Sequence, residues 1–287
     1  MTAAGAAVAP GNSRRVVKAV LTRIGFYVMV LLLGVFFALP MLWLLAAPFD
    51  RTPTLAAGVP DFTFDNFVRV FENPFVLPSL RNSLILALAT MVLVVTAAAL
   101  CAYALSRVHL PGRDILLYVL LLFSAVVSGT AAMVPLFLLI FEIGLINTHT
   151  GVVLVLAGGL MPAGIFILKD FMDSTPASYE ESARVAGASA LQTLRDIVVP
   201  VVRPGLAVIA VWTVVQVWGD FLIPFILLRD PELAPAAVVM FNFYTEGGQA
   251  NLPLISAYSF LYSVPVVAMY LFVNRRYGFR FYGGIKR

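Results

Sequence analysis

Six stretches of this chain are apolar over a length that matches a lipid bilayer: about residues 24–47, 84–105, 115–141, 151–168, 206–228 and 254–273. That condition constrains the fold more than any other feature. A helix rises about 1.5 Å per residue, so roughly 20 apolar residues cross a hydrocarbon core of about 30 Å. In lipid every backbone amide and carbonyl needs a partner, and a single long segment supplies them only as a helix. Composition agrees, with 61% hydrophobic and 12% charged residues among 287; a soluble domain carries about a quarter charged. The sequence therefore predicts an all-α polytopic membrane protein with six transmembrane helices in one domain, residues 14–287. Pro135 and Pro162 fall inside the third and fourth stretches and predict kinks there.

Residues 1–13, rich in Ala and Gly without periodicity, read as a disordered tail. Arg14, Arg15, Lys18 and Arg23 then precede an apolar run that is too long for a signal peptide and has no convincing cleavage site, so it reads as a first membrane anchor. Orientation follows from the basic residues. With a cytoplasmic N-terminus, the inner segments hold those four together with Arg107, Arg113, Lys169, Arg184, Arg195, Arg203, Arg275, Arg276, Arg280, Lys286 and Arg287. The outer segments hold only Arg51, Arg69, Arg81 and Arg229. Both termini and the loop 169–203 are thereby placed in the cytoplasm. The net charge of +4 is a topology signal and gives no nucleic-acid footprint. Outside, Phe62–Phe67 reads as a short amphipathic piece lying on the membrane.

Catalytic machinery is missing from the sequence. It contains no Walker-type phosphate loop, no His-Glu-x2-His and no dinucleotide fingerprint. The single Cys, Cys101, lies in an apolar run and reads as a packed side chain. His109 and His149 read as solvated loop residues at opposite faces, and Glu142 as a solvated helix terminus. No metal site is expected. If transport is driven by ATP, the nucleotide is hydrolysed on another polypeptide. Trp212, Gln216 and Asp220 recur every four residues in the fifth stretch and so share a helix face. Polar groups at such depth face a cavity or a partner. This face either lines a solute path, with hydrogen bonds from Gln216 and Asp220 and an apolar platform from Trp212, or fastens the helix to a neighbour.

The loop 169–203 is a polar island between apolar runs. Its first part reads as a short helix, capped either by Thr175 with Pro176 at the first helical position or by a Ser178/Glu181 capping box. Gly187 sits where the chain leaves that helix through a left-handed residue. Small side chains at Ser182, Ala183 and Ala186 predict a bare face for another protein's surface, and Glu181 and Arg184 are spaced to pair along the helix. A second helix is expected over about 190–198, ended by Pro200.

Glu181-Ser182-Ala183, three residues, Gly187, then nine residues to Ile197 and Pro200 resembles the EAA loop of permease subunits of ATP-driven (ABC) importers. Asn82-Ser83, Ala102-Tyr103-Ala104-Leu105-Ser106-Arg107, Gly144-Leu-Ile-Asn-Thr148, Trp218-x2-Phe221-Leu222-x-Pro224 and Gly283–Arg287 resemble the carbohydrate (maltose/oligosaccharide, MalG-like) branch. The resemblance runs from about Asp65 to the C-terminus. Ser182 departs from the usual Ala, Ala186 from a common Asp, and Val199 from the Leu before Pro200.

The resemblance implies a type I importer permease fold in a bacterial cytoplasmic membrane. It implies ATPase coupling through Glu180, Glu181, Ser182, Ala183, Arg184, Ala186, Gly187, Ala188 and Pro200. The implied partners are a second homologous permease in a heterodimer, an ATPase dimer that carries ATP and Mg, and an extracytoplasmic solute-binding protein. Sugars or oligosaccharides are the implied cargo, with glycerol-phosphate-type or other small solutes as the alternative. An ion-coupled secondary transporter would want repeated halves and its own intramembrane carboxylate site, and this chain offers Asp220 without a repeat.

Overall fold

The computed structural model describes residues 11–54, 61–108, 111–127, 130–245 and 251–277. Helices dominate: α1 Gly11–Ala46, α2 Asp65–Glu72, α3 Val76–Arg107, α4 Arg113–Val127, α5 Met133–Glu142, α6 His149–Asp173, α7 Ser178–Val185, α8 Ala190–Thr193, α9 Val199–Gly219, α10 Leu222–Leu227, α11 Ala236–Thr245 and α12 Leu252–Tyr277. The one β feature among the described residues is an isolated bridge between Asp50 and Phe62.

Among the described residues, five helical segments are long and apolar enough to cross a membrane: Lys18–Phe49, Val76–Arg107, His149–Asp173, Ala190–Gly219 and Leu252–Arg275. The third stretch read from the sequence is not one helix. It divides into α4 and α5, with a short 3₁₀ turn at Thr130–Ala132 before α5. The break precedes Pro135, which is accommodated in the first turn of α5, where its missing N–H has no intrahelical partner to lose. Pro162 lies inside a continuous α6.

Other boundaries move for local reasons. Gly11 to Ser13, read as tail, already belong to α1. Helix α3 starts eight residues before the apolar run, because Ser79, Asn82 and Ser83 are buried against protein. Helix α6 runs on to Asp173, extended by a Lys169–Asp173 pair at i,i+4. The piece expected at Phe62–Phe67 forms as α2, a turn later, and docks rather than standing free. The Asn66 amide donates to the carbonyls of Pro48 at 3.1 Å and Asp50 at 2.7 Å, and Phe49 packs against Phe64, Phe67 and Phe260.

Helices α3, α6 and α9 form the centre. Towards the end that carries the 169–203 loop, Val94, Ala98, Leu168, Met172, Val202 and Ile209 are buried together. Gly164 lets α6 approach Val94, Ala98 and Ile209 closely, the small-residue packing on which helix pairs in lipid depend. At the opposite end Leu86, Ile140, Val152, Leu156 and Trp218 form a second core.

That opposite end is closed by a latch. Asn82 Nδ2 donates to the carbonyls of Glu232 at 2.7 Å and Ala234 at 3.2 Å, and Ser83 Oγ accepts from Ala236 N at 2.8 Å. Asn147, left-handed at φ 58, accepts through Oδ1 from the amides of Arg229 and Asp230, each at 3.0 Å. His149 Nε2 meets the Leu233 carbonyl at 3.0 Å, so this imidazole is half-buried and tied instead of solvated; His109 lies outside the described residues. Replacing Asn147 with Ala removes the acceptor of two exposed amides, at roughly 0.5–1.5 kcal/mol for each hydrogen bond lost. We expect the melting temperature of the detergent-solubilised protein to fall by several degrees, read by thermal-shift size exclusion.

Candidate functional site

The loop between α6 and α9 is a helix–glycine–helix finger. Helix α7 ends in a Schellman turn: the Ala188 amide donates to the Ala183 carbonyl and the Gly187 amide to the Arg184 carbonyl, each at 3.0 Å. Gly187 takes φ +85, the left-handed exit expected from the sequence. Neither expected N-cap forms. Residue Ala177 occupies that position without a side-chain bond, because Thr175 Oγ1 donates back to the Phe171 carbonyl and Ser178 is already the first residue of the helix. The capping box lies one helix later, where Ser189 and Gln192 bond each other's backbone amides at the start of α8.

Pro200 does not end the second helix. After α8 the chain widens into a π-helical turn at Leu194–Val198, in which the Val199 amide reaches back to Leu194, and α9 follows directly. A widened turn absorbs the missing proline N–H and the ring's bulk that would break a regular α-helix. The finger's second half and the membrane helix are therefore one continuous helical segment from Ala190 to Gly219.

The finger's faces sort the residues expected to couple. Glu181, Ser182, Arg184, Ala186 and Gly187 are exposed, and Ala188 is half-buried. The tip also exposes Val185 at 91% and Leu191 at 73%, large apolar groups at a polar loop. Ala183 turns inward at 9% exposure, so the bare face expected at Ser182, Ala183 and Ala186 is only partly available. Glu180 is 2% exposed and faces its own chain. Among the described residues no ion pair joins Glu181 to Arg184.

Glu180 anchors a polar cluster that sequence reasoning missed as a unit. Arg107 Nε donates to Glu180 Oε1 at 2.6 Å and the Tyr103 hydroxyl donates to Oε2 at 2.9 Å. Arg107 also donates to Ser106 Oγ at 3.0 Å and the Thr175 carbonyl at 3.2 Å. Ser106 Oγ donates to Asp173 Oδ1 at 2.5 Å, and Lys169 Nζ to Asp173 Oδ2 at 2.6 Å. The available signal was the polar close of an apolar run, Tyr103-x2-Ser106-Arg107. A carboxylate as deeply buried as that of Glu180 persists only when paired and hydrogen-bonded.

At the other end the predicted path face divides. Helix α9 stops at Gly219, and Asp220 is extended (φ −74, ψ 122), so Asp220 does not continue the helix face of Trp212 and Gln216. Its Oδ1 accepts from Ile223 N at 3.0 Å and starts α10. Gln216 and Asp220 do meet, lining a cavity of about 120 Å³ with Met133, Leu156, Gly159 and Leu222. Trp212 does not line it and is half-buried elsewhere. Trp218 faces inward: its indole donates to the Tyr262 carbonyl and the Tyr262 hydroxyl to the Trp218 carbonyl. Glu142, the exposed last residue of α5, agrees with its reading as a solvated terminus. Among the described residues no group of three His, Cys, Asp or Glu is placed to hold a metal ion.

A bundle of long apolar helices with a polar finger, continuous with one membrane helix and ion-paired to another, is the build of a membrane transport subunit. Residues 95–278 match the binding-protein-dependent transport system inner membrane components, and the chain belongs to that family. It is therefore a multi-pass protein of the bacterial inner membrane. The Maltodextrin transport system permease protein MdxG of Bacillus subtilis (strain 168) is 31% identical over 261 residues, covering 90% of this chain and 93% of MdxG. The fold is shared with a crystal structure of a bacterial ABC transporter involved in import of the acidic polysaccharide alginate (TM-score 0.76, 24% identity, 89% of this chain and 97% of that one). It is shared also with the alginate ABC transporter in complex with an alginate pentasaccharide-bound periplasmic protein (TM-score 0.68, 18% identity, 91% and 95%).

Proposed function

We propose that this chain is the permease subunit of an ATP-driven, binding-protein-dependent importer of sugars or oligosaccharides. It forms half of the translocation pathway with a second homologous permease. The chain crosses the membrane six times, α4 and α5 together making one crossing, with both termini and the finger in the cytoplasm. An ATPase dimer holding ATP and Mg receives the finger, and an extracytoplasmic solute-binding protein delivers cargo. This chain carries out no catalysis. The single observation behind the coupling role is the finger itself: exposed Val185 and Leu191 flanking a left-handed Gly187, with Leu191 on a helix that runs unbroken into the bundle. Exposed apolar groups ringed by polar ones mark a protein contact.

The mechanism is mechanical. ATP binding closes the ATPase pair, the seated fingers move with it, and the attached helices reopen the path outward. For any coupling to arise, the finger must bind the closed and open ATPase states with different free energies. The sugar assignment rests on the curated maltodextrin relative and on the sequence motifs of the carbohydrate branch.

Purification from native membrane should bring down the ATPase, the second permease and the binding protein. The reconstituted complex should then take up labelled malto-oligosaccharides only with ATP and binding protein present. Uptake that persists without ATP would sink the proposal, and the chain alone should hydrolyse no ATP. If Gln216 and Asp220 line the path, Gln216→Ala weakens the apparent KM for uptake by a few-fold, the worth of one hydrogen bond, with ATPase binding unchanged. An unaltered KM would make that face helix packing.

A further inference from the structure

Helix α7 has few ties to the membrane helices. Its main packing partners are α8 and the wide turn that follow it in sequence, and of its residues Glu180 and Ala183 alone are buried. Ala183 offers a methyl group. Glu180 offers a carboxylate to Arg107 and Tyr103, both in the last turns of α3. The same guanidinium donates to the Thr175 carbonyl, at the corner where α6 turns into α7, and to Ser106, whose hydroxyl holds Asp173 at the end of α6. One planar fork thus pins the end of α3 to both sides of that corner, a geometry that a lysine ammonium does not reproduce. A buried ion pair adds little net stability over apolar packing of equal volume, while losing one partner leaves the other charge stranded. What such a pair does supply here is a fixed orientation between finger and membrane helix.

We propose that the Arg107–Glu180 pair is a positioning joint that carries movement of the finger into α3, keeping solute transport in step with ATP hydrolysis. The inference rests on the ATPase-docking reading above. Tyr103, Ser106 and the Lys169–Asp173 pair hold the joint's two members in register.

The test uses the complete importer in proteoliposomes with its binding protein and reads solute molecules moved per ATP hydrolysed. The variants are Glu180→Gln, which keeps the volume and an acceptor for Tyr103, and Arg107→Lys, which keeps the charge without the fork. Both single variants should retain the ATPase subunits and hydrolyse ATP while the ratio falls about tenfold or more, within the range expected of a coupling free energy. A purely structural role would lower transport and hydrolysis together and leave the ratio unchanged. That result overturns the joint, as does a wild-type ratio in Glu180→Gln or loss of the ATPase subunits from the variants. Hydrolysis by the unmodified complex that needs no contribution from this chain is a different outcome, and it overturns the docking reading.

Discussion

Replacing Gly187 with Val should abolish solute uptake while the protein still inserts and accumulates in the membrane at its normal level. Gly187 lies at φ +85 with open space around its α-carbon, so the obstacle is backbone conformation and not crowding. A β-branched residue in the left-handed region is strained by about 1–3 kcal/mol. The Schellman bonds of Gly187 and Ala188 are too few to hold the turn against that strain. The chain can relieve it by rotating out of the turn, and the price is the orientation of Val185 relative to Leu191 across the finger. The membrane bundle makes no use of this turn, so insertion should be untouched. Asn tolerates the left-handed region better than other non-glycine residues, so Gly187→Asn should keep a substantial part of the uptake. Equal uptake by wild type and Gly187→Val would remove the finger from the mechanism.

The second large effect is expected at the opposite end, from Gly151→Ala. A β-carbon on Gly151 would collide with the Leu145 carbonyl oxygen and lie 3.2 Å from Ile140 Cγ2. The first contact is with backbone and cannot be relieved by a rotamer change. That carbonyl also accepts from Thr148 Oγ1 at 2.7 Å, and Thr148 Oγ1 in turn accepts from Gly151 N at 3.1 Å. One methyl therefore drives apart the cap of α6 and the turn after α5, which also positions Asn147 for its bonds to Arg229 and Asp230. Overpacking of this kind costs about 1–3 kcal/mol, and losing the cap adds about 1 kcal/mol. We expect a large drop in the thermal midpoint of the solubilised protein and poor accumulation at 37 °C. A midpoint within a degree of wild type would mean that the turn yields freely.

Much of this architecture could be read from residues, for identifiable reasons. Length and apolarity located the long helices, because lipid leaves a backbone few alternatives. Gly187 was legible since left-handed exits favour glycine so strongly. The α4–α5 division was not, because both halves are equally apolar and hydropathy does not register backbone continuity. Pro200 misled for the opposite reason: a proline reads as a stop, and only three dimensions show that a widened turn lets the helix pass. Asp220 looked like the next rung of a helical ladder, yet it serves as the joint between α9 and α10. The two adjacent glutamates carried the subtlest ambiguity. Glu180 and Ala183, three residues apart, share the inward face, while Glu181 points out. Without the position of Arg107 nothing in the local pattern separates them.

The central claim is that the finger seats in an ATPase subunit on the cytoplasmic side, and a single cysteine at its tip tests that most directly. In a Cys101→Ala background, Val185→Cys is labelled with a membrane-impermeant maleimide in intact cells and in inverted vesicles, with and without the ATPase. We expect no labelling from outside, rapid labelling in inverted vesicles stripped of the ATPase, and protection once the ATPase is restored. Labelling in intact cells, or equal labelling with the ATPase in place, would contradict it.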